Sequence, residues 1–196
     1  MRRTKWALAA GAGVLGVAIL AGCGSQPAAG PQGSNAVQVQ ALAPRVVTEH
    51  LTIVTGKMIH KPGWPQFQPS TFTVPKGATV RLVITSYDDG TAPLPANSPF
   101  LKVQGLVTPD ETVNGQPVSA VAPDQVAHTF TIPALGVNVP IPAAPTGKTV
   151  TVTAEFVAQK AGTFTWQCEA PCGTGASGWG GPMITPGYMT GTVTVQ

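Results

Sequence analysis

The sequence predicts an all-β domain built as a two-sheet sandwich, and three observations lead there. Val and Thr alternate along most of the chain from about residue 45 onward, the period of strands with one buried face. Gly and Pro, 23 and 20 of the 196 residues, punctuate these runs every eight to fifteen positions or so, as turns must. No segment of this region sustains a 3.6-residue apolar period, so no long helix is expected. Seven or eight short strands with turn signals between them describe two packed sheets.

Taken in order, the first strand is expected over Val46–Val54, in which Glu49 and His50 fall in a polar alternation and read as a solvated face. Ser70–Val74 and Thr79–Ser86 follow, on either side of Pro75-Lys76-Gly77. Residues 88–124 are rich in Pro, Asn and Gly and read as an insertion with little regular structure, flanking the functional end. Strands then resume at Ala127–Ile132 and Thr149–Val157, the second placing Val150, Val152, Ala154 and Phe156 on one face. Gly162–Gln167 and Tyr188–Val195 complete the set. Trp166 and Trp179 are read as packing residues.

The N-terminus has a different character. Arg2, Arg3 and Lys5 precede an uncharged apolar run from Trp6 to Leu20. At about fifteen residues this run is short for a membrane span and suits a signal-peptide core. It closes on Leu20-Ala21-Gly22-Cys23, which resembles the lipobox of bacterial lipoproteins. The resemblance implies export, removal of residues 1–22 and acylation of Cys23, with the chain held on the extracytoplasmic face of a membrane. Residues 24–44 are Gly, Ser, Pro, Gln and Ala-rich without charges or aromatics, so 23–44 is expected to be a flexible tether with a reach on the order of 25 Å.

The remaining stretch, 45–196, has the length of one domain. Removing Arg2, Arg3 and Lys5 from the eleven basic residues leaves eight, against eight acidic ones. The formal charge of +3 therefore belongs to the leader, and no basic stripe is left to bind nucleic acid. With three His, no Ser-His-Asp set, no paired-carboxylate signature and no phosphate loop in the sequence, an enzyme is not expected.

Assigning Cys23 to lipid leaves Cys168 and Cys172 in the segment Gly162-Thr-Phe-Thr-Trp-Gln-Cys-Glu-Ala-Pro-Cys-Gly173. Two thiolates four residues apart, followed by a Met that opens the next strand, can converge on a soft metal, and such donors favour copper. A disulfide between Cys168 and Cys172 accounts for the same spacing.

A second segment, Val126-Ala-His128-Thr-Phe130-Thr-Ile-Pro133-Ala-Leu-Gly136-Val137, joins the first in a larger pattern. Together they resemble the cupredoxin superfamily, most closely the copper-binding domain of cytochrome oxidase subunit II. There a His in an H-x-F-x-I-P strand is followed by a Q-C-x-x-x-C-G run, a second His and a Met. Phe72-Thr-Val-Pro-Lys-Gly-Ala-Thr-Val-Arg-Leu-Val-Ile-Thr-Ser86 looks like the early strands of that fold, and the likeness covers most of 69–196 apart from the insertion. It implies a Greek-key sandwich, His128 as first imidazole ligand, Cys168 and Cys172 as thiolate ligands and Met189 as a weak thioether ligand. The acidic residue that in the family lends a carbonyl between the cysteines is here Glu169, next to Cys168 rather than midway.

One departure shapes the functional expectation. The family's second His falls on Ala176, and the loop from Gly173 to Tyr188 contains no His and is about ten residues longer than the pattern. A two-copper centre needs an imidazole on each metal, so a mononuclear or altered site is the leading reading. Met183 in the enlarged loop, or His60 from upstream, can replace the missing donor. The expected function is a membrane-tethered copper protein carrying electrons, with a respiratory redox protein as partner. The alternative is a copper-free envelope module closed by a Cys168–Cys172 disulfide.

Overall fold

The computed structural model describes residues 45–196. The leader, the lipid-attachment residue Cys23 and the tether lie outside the described residues. Among the described residues, eleven strands make two sheets. The first contains β1 (Val46–Val54), β2 (Gln66–Gln68), β4 (Thr79–Ser86), β9 (Val150–Val157), β5 (Glu111–Val113) and β6 (Gln116–Val118), in the order β2-β1-β4-β9-β5-β6. The second contains β3 (Thr71–Val74), β11 (Thr190–Val195), β10 (Gly162–Gln167), β7 (Val126–Ile132) and β8 (Val137–Pro142), in that order. Two neighbouring pairs, β1 with β4 and β3 with β11, run parallel, and the rest are antiparallel. The parallel pairs arise because the chain changes sheet between β2 and β3 and again between β3 and β4.

The all-β sandwich is as the alternation predicts. In β9 the buried residues are Val150, Val152, Ala154 and Phe156, and in β4 they are Val80, Leu82, Ile84 and Ser86. These faces meet Phe130, Trp166 and Val193 of the other sheet in one core. At its centre Trp166 stacks on Phe130 with centroids 5.1 Å apart and meets Phe67 edge-on at 4.8 Å. Trp166 is therefore the packing residue expected; Trp179 is not, being 45% exposed.

Strand number exceeds expectation for identifiable reasons. The unexpected β8 reads Val-Asn-Val-Pro-Ile-Pro, and its prolines suit only an edge strand, the position it occupies. The insertion is also more regular than expected. Its β5 and β6 form a hairpin that extends the first sheet beside β9. The turn is Asn114-Gly115, with φ of 49° and 80°, a pair suited to a tight hairpin of this hand. A short 3-10 turn at Pro99–Leu101 is capped by the Ser98 hydroxyl, which accepts from the Phe100 N–H, and Ala92, Leu94, Leu101 and Val121 are buried.

Candidate metal centre

Every residue of β7 is buried, because one face looks into the core and the insertion covers the other. Along this strand His128, Phe130 and Ile132 share one face, and His128 meets Phe67 edge-on at 6.3 Å. A register shift between Val126 and His128 marks a bulge at the start of β7, a device that re-aims a side chain next to a site.

The opposite face of β7 is polar and fully paired. The Glu169 N–H donates to Thr129 Oγ1 at 2.8 Å. Thr129 and Thr131 share a hydroxyl hydrogen bond of 2.9 Å, and Thr131 donates to Asn138 Oδ1 at 2.7 Å. Asn138 Nδ2 donates to the carbonyls of Phe100 and Lys102 at 3.0 and 2.7 Å. This chain of bonds runs from the cysteine loop to the insertion and fixes β7 between them.

Cys168 follows β10 directly and is 3% exposed. Its N–H donates to the Met189 carbonyl at 2.9 Å, while its sulfur accepts from the Thr129 N–H at 3.4 Å. Cys172 lies one turn further on, half-buried, with its sulfur 3.4 Å from that of Cys168. The two are free thiols, since a disulfide bond is about 2.05 Å long. One ring nitrogen of His128 and the two sulfurs all lie within 4.8 Å of one another.

The enlarged loop folds back over this group. Thr174 and Gly180 form a bridge, and a 3-10 turn at Gly181–Met183 follows. It brings the Met183 sulfur to 3.3 Å from that of Cys172. Gly173 permits the approach, because a Cβ there would lie 2.2 Å from the Gly180 carbonyl oxygen and 2.6 Å from Met183 Cγ. Met189 is fully buried in the core below the loop, tied by its backbone to Cys168 and Pro182. His60 is exposed in a left-handed turn conformation and is not part of the cluster. Ala176 is exposed in the loop.

Sequence reasoning missed Asp88, which lies just past β4. Its Oδ2 is 3.0 Å from His128 Nε2, which leaves His128 Nδ1 buried without a hydrogen-bond partner. Forty residues separate the pair, most of them insertion, so no local motif reveals it.

Electrostatics follow from these contacts. Burial alone disfavours the His128 imidazolium, but Asp88 and Cys168 beside it outweigh burial and hold its pKa up at about 9. At Cys168 burial favours the neutral thiol, yet Cys172, the His128 charge and the Thr129 N–H bring its pKa well below the usual thiol value. Cys172, hydrogen-bonded to Cys168 and partly buried, is raised well above that value. A metal cation would thus meet a ready thiolate, and ligation would release the remaining protons.

An orphaned buried imidazole nitrogen beside two thiols and a thioether fits a soft transition metal, with copper favoured by this donor set. The donors sit on strand ends and a braced loop, so the group is held before any metal arrives.

Comparison with solved structures returns the following likenesses. A crystal structure of variant rusticyanin is 18% identical, with 79% of this chain and 80% of that chain covered and a TM-score of 0.38. An apo copper-binding protein solved by NMR is 17% identical, covering 79% and 92%, with a TM-score of 0.35. A chain of a heme-copper terminal oxidase dimer is 18% identical, covering 76% and 64%, with a TM-score of 0.34. No protein-family model matches the chain, and no curated protein matches it.

Proposed function

We propose that this chain is a copper-binding electron carrier of the cupredoxin kind, and that it works tethered by Cys23 to the extracytoplasmic face of a membrane. The observation that carries the reading is the buried, unpartnered Nδ1 of His128, a residue that clusters with both cysteine sulfurs. His128, Cys168, Cys172 and Met183 would hold one copper ion, Met189 being the other thioether the sequence offers. Among the described residues, one imidazole in one cluster favours one metal over two. Copper would supply the one-electron change. The protein's own part is to exclude water, fix the donors on β7, on the end of β10 and on the loop, and so limit rearrangement between oxidation states. A lipid tether would keep the site near membrane respiratory complexes, whose redox proteins are the partners this reading implies.

The test uses the full chain, purified in detergent, reduced and loaded with copper without oxygen. Absorption and EPR should show an intense thiolate-to-copper band that disappears in Cys168→Ser. No band, together with no titratable thiols at Cys168 and Cys172 in the protein as isolated, would reject it. That result would favour the second reading, a copper-free binding or structural module closed by a Cys168–Cys172 disulfide, which the 3.4 Å separation of the sulfurs keeps in play.

A further inference from the structure

We propose that Asp88 is the positioning residue of the centre: its carboxylate holds the Nε2–H of His128 and thereby turns Nδ1, the nitrogen left for a metal, toward the two sulfurs. The proposal rests on the copper reading above, and goes beyond it by assigning a residue that no ligand pattern contains. The contact is 3.0 Å between Oδ2 and Nε2. An imidazole has two nitrogens, and a hydrogen bond at one decides which of them is left to bind a metal.

Asp88 is itself built in. Its Oδ1 accepts from the Gly90 N–H at 3.0 Å, its N–H donates to the buried Ser86 hydroxyl at 3.2 Å, and its carbonyl accepts from the Ala144 N–H at 2.8 Å. A carboxylate held at its second oxygen, on a backbone fixed at both its N–H and its carbonyl, lacks the freedom of a surface side chain, so it can impose an orientation on the ring it touches. The contact also joins the two sheets, since Asp88 leaves β4 and His128 belongs to β7.

Asp88 further marks the boundary between the cluster and water. Two small hollows, of about 250 and 180 Å³, are each lined by Asp88, Cys172 and Gly173. The Asp88 side chain is 21% exposed and that of His128 fully covered. Among the described residues the Asp88–His128 pair is the only ion pair that reaches the cluster. A negative charge beyond the ring favours the more highly charged oxidation state of a metal on its near side, so removing that charge should raise the reduction potential.

The experiment has one arm without metal and one with it. In full-length metal-free protein labelled with ¹⁵N-histidine, His128 should show an Nε2–H resonance protected from exchange, and Asp88→Ala should lose it. In copper-loaded protein, Asp88→Ala should weaken copper binding about tenfold to a hundredfold. Asp88→Asn keeps an acceptor but removes the charge, so it should retain the copper band while the reduction potential rises. A merely structural link between the sheets would leave the Asp88→Asn potential at its original value, and that result overturns the proposal. So does a wild-type ring with no protected Nε2–H. Because the resonance is read without metal, a wild-type chain that binds no copper refutes the proposed function, while the orientation of His128 is still decided by the first arm.

Discussion

The sulfur of Met183 lies 3.3 Å from the sulfur of Cys172, so the enlarged loop, which has no imidazole to offer, lays a thioether on the cluster instead. Met183→Leu keeps the side-chain volume and removes the sulfur, and such swaps cost less than about 1.5 kcal/mol in stability. The expected outcome is a stable chain whose copper band and reduction potential both move. Met189→Leu is the control, read by the same absorption and EPR spectra. A spectrum that ignores Met183→Leu and responds to Met189→Leu would transfer the thioether role to Met189.

Gly173 is the second place where the loop can be tested. An alanine Cβ would stand 2.2 Å from the Gly180 carbonyl oxygen, a backbone atom that cannot swing aside, so Gly173→Ala must displace the loop. Overpacking of this kind costs about 1–3 kcal/mol. Copper affinity should drop along with the midpoint of urea unfolding. Unchanged affinity would mean that the loop's position is irrelevant to the centre.

Much of this architecture was legible because it is local. Val46–Val54, Thr79–Ser86 and Gly162–Gln167 are strands with the bounds that alternation and turn residues suggest, and Cys168, Cys172 and His128 do converge. What escaped falls into two kinds. Strand β8 was hidden by Pro140 and Pro142, which argue against a strand unless its edge position is already known. The β5–β6 hairpin did carry a readable sign in Asn114-Gly115, obscured by the irregular composition around it. Asp88 escaped for another reason. Its pairing with His128 is made by folding across the insertion, and neither residue's neighbours in sequence specify it.

The Phe100–Lys102 part of the insertion should be tied to β8 through Asn138, whose side chain satisfies the carbonyls of Phe100 and Lys102 and accepts from Thr131. Asn138→Ala leaves these groups without partners, at about 1–3 kcal/mol for each one that stays buried. Hydrogen exchange should accelerate at Lys102 to Gln104 before it does in β4 or β9. Uniform exchange across the domain would show that the buried Leu101 and Val121, rather than Asn138, anchor the segment.

Glu111 leads to a pH dependence. It is 1% exposed, and neither carboxylate oxygen has a hydrogen-bond partner, so burial pushes its pKa from 4.5 to about 9. The folded chain therefore keeps this proton over a range in which the unfolded chain has lost it. Where the unfolded state binds fewer protons, stability falls as pH rises, by up to about 1.4 kcal/mol per pH unit. The contribution is harmless below the unfolded value of 4.5, grows more costly through neutrality and levels off above about 9. Glu111→Gln keeps the shape of the protonated side chain and cannot ionise. Urea midpoints at pH 5, 6, 7 and 8 should decline in the wild type and decline less in Glu111→Gln, with the variant the more stable of the two at pH 8. Parallel profiles for the two proteins would mean that Glu111 ionises freely in the folded chain, which its burial at the start of β5 argues against.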